Sequence, residues 1–562
     1  MCGAMHKTKK IKLFKNVIAV FVLFLSFNSH RAVFSDETSG CVPYSLTPFQ
    51  KATYRYVPAD RERADTVALA ACPGEFEPAT FSLYALKDLA RVGFAVSDLR
   101  CGEGVIPAAE VDIRIVKVWT QSGDDLWVDV PVEVPELLLY RDDVELKGRR
   151  PSAGGERTAL TSVPQGTSKQ FWVTVKVPED AAAGEYAGTI AVDVAGGRAA
   201  SLALKVTVLP FRLARPRRDF LIYFRANLDP TRGAEYEPWD EFERQVRNIR
   251  EHGFTGASIY SREEFLPAIL KKYVEAGFTS PVPYLGRTKG VAEVEEIVKK
   301  AGPLRVVYYG MDEPNSPDKA EACRKLFEGI QNAGGTTVTA IMKKYADMIW
   351  DSIDIVNYSL CDQKIDAYIR GLSEGRVRKN TKREWYYWQI MKERPKTARL
   401  MSGFFLWKSK LDGIFPFCYQ TMNIEDPYDD FTPWEWAGLK WRPHLVTYPS
   451  KEGPIDTLQW EACREGIDDM KYIATLEDTI RRLRNLRAVL RLKSMGNDGE
   501  DPRVARIDRI IADSEKVLKE IDAKIDPDCL KALEKLTEKD LVDFRAEIVR
   551  EIVKGVKALE EQ

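Results

Sequence analysis

Two consecutive carboxylates, Asp312 and Glu313, close the run Leu304-Arg-Val-Val-Tyr-Tyr-Gly-Met-Asp-Glu-Pro314. Adjacent acids suit general acid–base work. One ionised carboxylate raises the pKa of its neighbour, so the pair holds a single proton near neutral pH, as the acid of a glycosidic cleavage must. The apolar and aromatic residues before them predict a strand covered on both faces, as in a parallel sheet. Ser316-Pro-Asp318 supply the cap and first turn of a following helix. At the C-terminal tip of a strand in a (β/α)8 barrel the pair would face the catalytic mouth. Because strand period sends neighbours to opposite faces, both acids reach one pocket only if the backbone bends on leaving the sheet, and Pro314 disfavours helical geometry at Glu313. The competing reading points one acid into the barrel and leaves the other to cap the next helix or pair with an arginine.

Other chemistries lack their residues. The first 35 residues read as a signal peptide, with Lys7, Lys9, Lys10, Lys12 and Lys15 ahead of an apolar Val17–Phe27 core too short for an ordinary membrane span. Cleavage after Val33-Phe-Ser35 gives an exported chain (periplasmic, cell-surface or extracellular) with no transmembrane anchor; an uncleaved N-terminal anchor is the alternative. The mature chain keeps His252 and His444, too few for a three-histidine metal site. It contains no H-E-x-x-H, G-x-S-x-G, G-x-G-x-x-G or P-loop motif. Its eight cysteines form no C-x-x-C pair, and a few disulfides are expected, foremost among Cys41, Cys72 and Cys101. No cofactor and no metal are implied. The full chain has 83 Lys plus Arg against 84 Asp plus Glu, the leader carries cations only, and no basic block remains to track a phosphate backbone, which argues against nucleic acid as a partner.

The elements that must position the acids follow from periodicity. Residues 42–212 alternate with period two in runs such as Phe76–Tyr84, Val111–Trp119, Phe171–Val177 and Leu202–Leu209, predicting a β-sandwich; Lys147–Gly166 reads as a mobile loop. After the Pro- and Arg-rich linker Pro210–Arg218, strand-like and helix-like segments alternate. Eight strands are expected, at Phe220–Phe224, Ala257–Tyr260, Pro281–Leu285, Arg305–Met311, Thr336–Ile341, Asp354–Leu360, Glu384–Ile390 and Gly413–Gln420. That count predicts a (β/α)8 barrel over 217–470, with a doubly wound open sheet as the alternative. The helix after the acids is expected to bury Ala322, Leu326 and Ile330. Residues 471–562 form a C-terminal helical region, read as a hairpin packed on the barrel rather than a coiled-coil arm. Glu461, Arg464, Glu465, Asp468 and Asp469 read as a salt-bridged helix joining barrel to tail.

A retaining glycosidase places a nucleophile about 5 Å across the sugar from its acid. The seventh strand offers Glu384, at its wrong end, and Glu393, beyond Lys392 in the loop. The lack of a well-placed nucleophile suggests that the substrate supplies it, through a 2-acetamido carbonyl attacking the anomeric carbon. Strand-tip candidates for sugar contacts are Arg225, Tyr260, Tyr284, Asn357, Tyr358, Trp388 and Tyr419, with Trp407 as a further pocket aromatic.

The chain resembles glycoside hydrolase family 123, in the wider domain-of-unknown-function 4091 group. The matching residues are Tyr309-Gly-Met-Asp-Glu-Pro314, Arg399 through Leu406-Trp-Lys-Ser-Lys-Leu-Asp-Gly-Ile414, Gly453 through Tyr472, and Gly74-Glu-Phe-Glu-Pro78. The resemblance implies a β-N-acetylgalactosaminidase-like enzyme using substrate assistance, with Asp312 orienting the acetamido group and Glu313 serving as acid and then base. One departure is the eighth strand, which ends Pro416-Phe-Cys-Tyr-Gln420 where a tryptophan is expected. A conventional retaining glycosidase with Glu313 as acid/base and Glu393 as nucleophile, and a non-catalytic glycan-binding surface protein, are the competing functions.

Overall fold

Alternating apolar residues between Cys41 and Val208 build two β-sheets in the computed structural model, which describes residues 40–50, 52–122, 130–286, 290–360, 363–378, 381–390, 394–420, 425–432, 434–436, 439–441, 444–494 and 501–561. The leader, Cys361 and Glu393 lie outside the described residues. One sheet orders five strands as Cys41–Tyr44, Phe76–Ala85, Ser168–Lys176, Val111–Ser122 and Pro131–Leu139, paired antiparallel with Phe171 opposite both Phe81 and Ile115. The other has seven strands, with Gly184–Val194 and Gly197–Val208 at its centre. The sheets share an apolar core. Phe81 stacks on Phe171 at 5.2 Å, and Phe94 from the opposite sheet meets Phe171 edge-on at 4.7 Å. Part of the expected loop is ordered: Leu160–Val163 adds a strand beside Leu89–Val96. Cys41, Cys72 and Cys101 are in no disulfide. Cys41 and Cys101 lie on different strands, and Cys72, just beyond the strand Thr66–Ala71, brings its thiol to the Tyr472 hydroxyl at 3.8 Å.

Eight parallel strands then follow one another around a single sheet: Asp219–Ile222, Gly256–Ala257, Val282–Tyr284, Val306–Tyr309, Thr337–Ile341, Ile355–Ser359, Arg383–Tyr387 and Gly413–Ile414. The first pairs with the second and the eighth, so sequence order is spatial order. The remaining gap is bridged between Ile259 and Tyr284, where Ile259 N–H donates to Pro283 at 2.9 Å and Leu285 N–H to Ile259 at 2.7 Å. An inner cluster of Leu221, Tyr223, Val307, Val338, Ile355, Trp385 and Phe415 fills the ring. Their odd-and-even alternation with outward residues follows from strand period. Of the helix after the acids, Pro317–Asn332, the buried face is Ala320, Cys323, Phe327 and Ile330; Ala322 and Leu326 are exposed. The expected face was rotated by about one residue.

Helices Leu458–Ser494, Pro502–Lys524, Cys529–Lys535 and Glu538–Glu560 complete the chain, the long first one packing on barrel helix Pro395–Ser402 and the last one packing back on the first. Ionic groups buried in this junction tie all three regions together. Arg545 of the last helix meets Asp469 at 2.6 Å, Glu465 at 2.8 Å and Glu77 of the N-terminal sheet at 3.3 Å. Arg399 holds Asp469 at 2.9 Å, and Arg114 holds Glu461 at 2.6 Å. No helix of the described residues is long and apolar enough to cross a membrane.

Candidate active site

The fourth barrel strand ends at Tyr309, and the chain leaves it through Gly310, where a Cβ would stand 2.3 Å from the Phe327 ring. Glycine therefore lets the turn sit close over its own helix, which Ser316 caps by accepting the Lys319 N–H at 3.2 Å. The Thr339 hydroxyl of the neighbouring strand donates to the Met311 carbonyl at 2.5 Å and pins the turn. Glu313 takes φ +42°, in the left-handed region that side chains other than glycine rarely adopt. That twist breaks the strand alternation that would otherwise send consecutive side chains apart, and the N-cap of the following helix is Ser316.

Each carboxylate rests on a tyrosine from inside the barrel. The Tyr309 hydroxyl donates to Asp312 Oδ1 at 2.6 Å, and the Tyr387 hydroxyl donates to Glu313 Oε1. Behind Tyr309 lies a directed chain of hydrogen bonds. Asn357 Nδ2 donates to the Tyr223 hydroxyl at 3.2 Å, Tyr223 to the Tyr309 hydroxyl at 2.9 Å, and the Ala340 N–H also donates to Tyr309 at 3.2 Å. With two donors already at its oxygen, Tyr309 has its own proton to offer Asp312. Burial first, and the Asp312 charge next, push the Tyr223 and Tyr309 hydroxyls well above their ordinary pKa, so both stay protonated donors. Burial and the Glu313 charge do the same at Tyr387.

Asp312 opens on the mouth, yet protein crowds it from below and desolvation is the largest influence on its carboxyl. With the Glu313 charge added, its pKa is raised despite the opposing Tyr309 hydrogen bond and the Arg225 guanidinium. That electrostatic coupling places both acids in one field. Arg225 lies over the Tyr260 ring at 5.3 Å, and Asp312 in turn raises the Tyr260 hydroxyl behind the larger effect of burial. Tyr223 stacks on Phe415 at 3.7 Å and meets Phe417 edge-on at 5.5 Å, forming an aromatic floor.

Of the residues expected at the mouth, the structure thus brings together Asp312, Glu313, Arg225, Tyr260 and Asn357. Five others face elsewhere. Tyr284 sits edge-on to Tyr308 in the helix-facing core. Tyr358 donates outward to Glu384 at 3.0 Å, and Glu384, held also by Arg378 at 3.0 Å, stays at the far end of its strand. Trp388 packs beside outward-facing Tyr386, 6.0 Å away. Tyr419 donates to Asn248 at 3.0 Å beneath Trp460. Trp407 donates to Glu477 of the long helix at 3.3 Å, away from the mouth. Alternation explains the misses on strands, since Asn357 and Tyr358 cannot share a face. The same rule points to Tyr223, Tyr309 and Tyr387, which spacing alone could have found.

Residues 49–194 match the glycoside hydrolase 123 N-terminal domain, and residues 288–476, which include both acids, match the glycoside hydrolase 123 catalytic domain. No curated protein matches the chain. Among solved structures, a family 123 glycoside hydrolase from Clostridium perfringens, described for its glycolipid glycan hydrolysis, aligns at TM-score 0.59 with 13% identity, covering 86% of this chain and 99% of that one. A family 39 glycoside hydrolase from Bacteroides cellulosilyticus aligns at TM-score 0.31 with 12% identity, covering 64% of this chain and 80% of that one, a similarity too low to carry an argument. With domain matches at both ends of one architecture and a shared fold across almost its full length, the chain belongs to glycoside hydrolase family 123 and is a glycosidase.

Proposed function

We propose that the protein is an exported β-N-acetylhexosaminidase of the N-acetylgalactosamine type that cleaves with retention by substrate assistance. The observation that supports it is the pair of consecutive carboxylates beyond the fourth barrel strand, with Glu313 in the left-handed region and each acid accepting from its own phenol. In this reading Glu313 donates its proton to the glycosidic oxygen as the C1–O bond breaks, while the acetamido carbonyl oxygen of the same sugar bonds to C1. Asp312, ionised, accepts the acetamido N–H and offsets the positive charge that grows on the amide. Glu313, now a carboxylate, takes a proton from water, whose oxygen bonds to C1 and releases the acetamido group. Two inversions give net retention. The Tyr387 hydroxyl occupies Glu313 Oε1, which directs the acid proton to Oε2. Tyr309 steadies Asp312 in its charged form.

The same reading takes the two N-terminal sheets as a β-sandwich over 42–212 and the parallel sheet as a TIM-type (β/α)8 barrel over 217–470. The helical region covers 471–562, behind a signal peptide over 1–35. Glycans or glycolipids carrying N-acetylgalactosamine are the proposed substrates. The test is a panel of aryl 2-acetamido-2-deoxy-β-glycosides with wild type, Asp312→Asn and Glu313→Gln, together with a thiazoline inhibitor. Turnover of the galacto member, its loss in both variants and thiazoline inhibition are expected. Inactivity across the panel, or trapping by a 2-fluoro sugar without thiazoline inhibition, would sink the proposal.

A further inference from the structure

The end of the barrel opposite the acids carries a different chemistry. A recess of about 500 Å³ opens there, lined chiefly by the linker Arg215-Pro-Arg-Arg218 and by Arg378, Thr381, Lys382 and Arg383 ahead of the seventh strand. Arg215, Arg217, Arg218, Arg378, Lys382 and Arg383 line it, and among the described residues of the lining the carboxylates are Asp219 and Asp412. Both acids are already engaged. Arg378 grips Asp412 with two hydrogen bonds, at 2.6 Å and 2.7 Å, while Asp219 accepts from Arg383 at 2.7 Å, Trp385 at 3.0 Å and Ser280 at 2.8 Å. The charge of the linker arginines is left over. Arg218 Nε is buried with no hydrogen-bond partner, and burial, reinforced by the Arg378 charge, lowers the Arg218 pKa against the pull of Asp412 and Glu477. Gathering cations costs electrostatic free energy unless an anion arrives. A chain whose formal charge is −1 nevertheless concentrates them here.

We propose that this recess is a binding site for an oxyanion group, a sulfate or phosphate, separate from the glycosidase centre. Guanidinium forks match tetrahedral oxyanions with paired, charge-assisted hydrogen bonds. The volume has room for a sugar ring bearing such a group. Two sources share this chemistry, a sulfated or phosphorylated saccharide and the free inorganic ion. Arg217 is exposed, so its reversal tests the site without disturbing packing.

Titration calorimetry of the full chain with a monosulfated disaccharide, its unsulfated counterpart and sodium sulfate, each at matched ionic strength, reads the site directly. The sulfated sugar is expected to bind and the unsulfated one to bind at least tenfold more weakly. Arg217→Glu should weaken the sulfated sugar by about tenfold while leaving aryl-glycoside turnover unchanged. Binding of sulfate as tight as that of the sulfated sugar assigns the site to the free ion; tighter binding of the sugar assigns it to a saccharide. A thermal midpoint that rises equally with sulfate and with chloride, or sulfated-sugar binding untouched by Arg217→Glu, overturns the proposal. Arg218→Gln, measured in parallel, should lose the same binding with its melting cooperativity intact.

Discussion

Acids at the barrel mouth and acids at the domain junction are both crowded by protein, but they are given opposite partners. In the junction, burial would push Glu461 up, yet Arg464, His252 and Arg114 outweigh it and hold its carboxyl far below the usual range. At the mouth, Asp312 and Glu313 are held by phenols, and Asp312 moves up. Guanidinium groups on either side outweigh burial at Glu461, whereas Glu77 and Glu465, which share Arg545, stay raised; a hydroxyl orients a carboxylate without adding a countercharge.

Three substitutions would break or sharpen this contrast. Replacing the proposed acid, Glu313→Gln, should cut kcat about 10³-fold or more on an unactivated leaving group while leaving the melting temperature near wild type. Equal turnover would remove the mouth from consideration. At the junction, Arg545→Met should leave Asp469, Glu465 and Glu77 enclosed without their cation and destabilise the fold by about 3–5 kcal/mol, read from denaturant midpoints, with little effect on kcat of the folded fraction. Burial already raises Glu77 and Glu465, and losing Arg545 raises them further. A raised carboxyl pKa means the native state holds more protons than the unfolded one, so stability falls as pH rises. The variant should accordingly be less impaired at pH 5 than at pH 8. The smallest change, Tyr309→Phe, removes the hydrogen bond that lowers Asp312, so the Asp312 pKa rises and the acid limb of the kcat/KM profile moves to higher pH. The loss at the optimum should be about tenfold. An acid limb that stays in place would show that Asp312 does not need to be ionised.

Much of the architecture was legible because the barrel strands are covered on both faces and read as short apolar runs between helical patterns. Period two implies that Asp312 and Glu313 share a face only with a bend between them, and Glu313 takes a left-handed backbone. Position at a strand tip does not by itself separate neighbours: Asn357 donates to Tyr223 inside the ring while Tyr358 donates to Glu384, and Trp388 packs beside Tyr386 while Tyr387 reaches Glu313. In Pro317–Asn332 the adjoining pairs Ala322-Cys323 and Leu326-Phe327 offer two neighbouring apolar stripes, and the fold buries the one that carries Cys323 and Phe327. Trp407 illustrates a different limit. Its partner Glu477 lies 70 residues away on the long helix, a tertiary contact with no local signature. Overall charge hid the basic recess in the same way, since the chain average cancels what the fold concentrates.

The positive φ at residue 313 carries one more implication. A left-handed residue with a side chain costs about 1–2 kcal/mol relative to glycine, a penalty that Arg91 and Lys410 also bear and that at 313 preserves the proposed acid. Under the proposed function, a descendant released from sugar cleavage would gain stability by replacing Glu313 with glycine, and the residue at 313 would mark which relatives keep the acid.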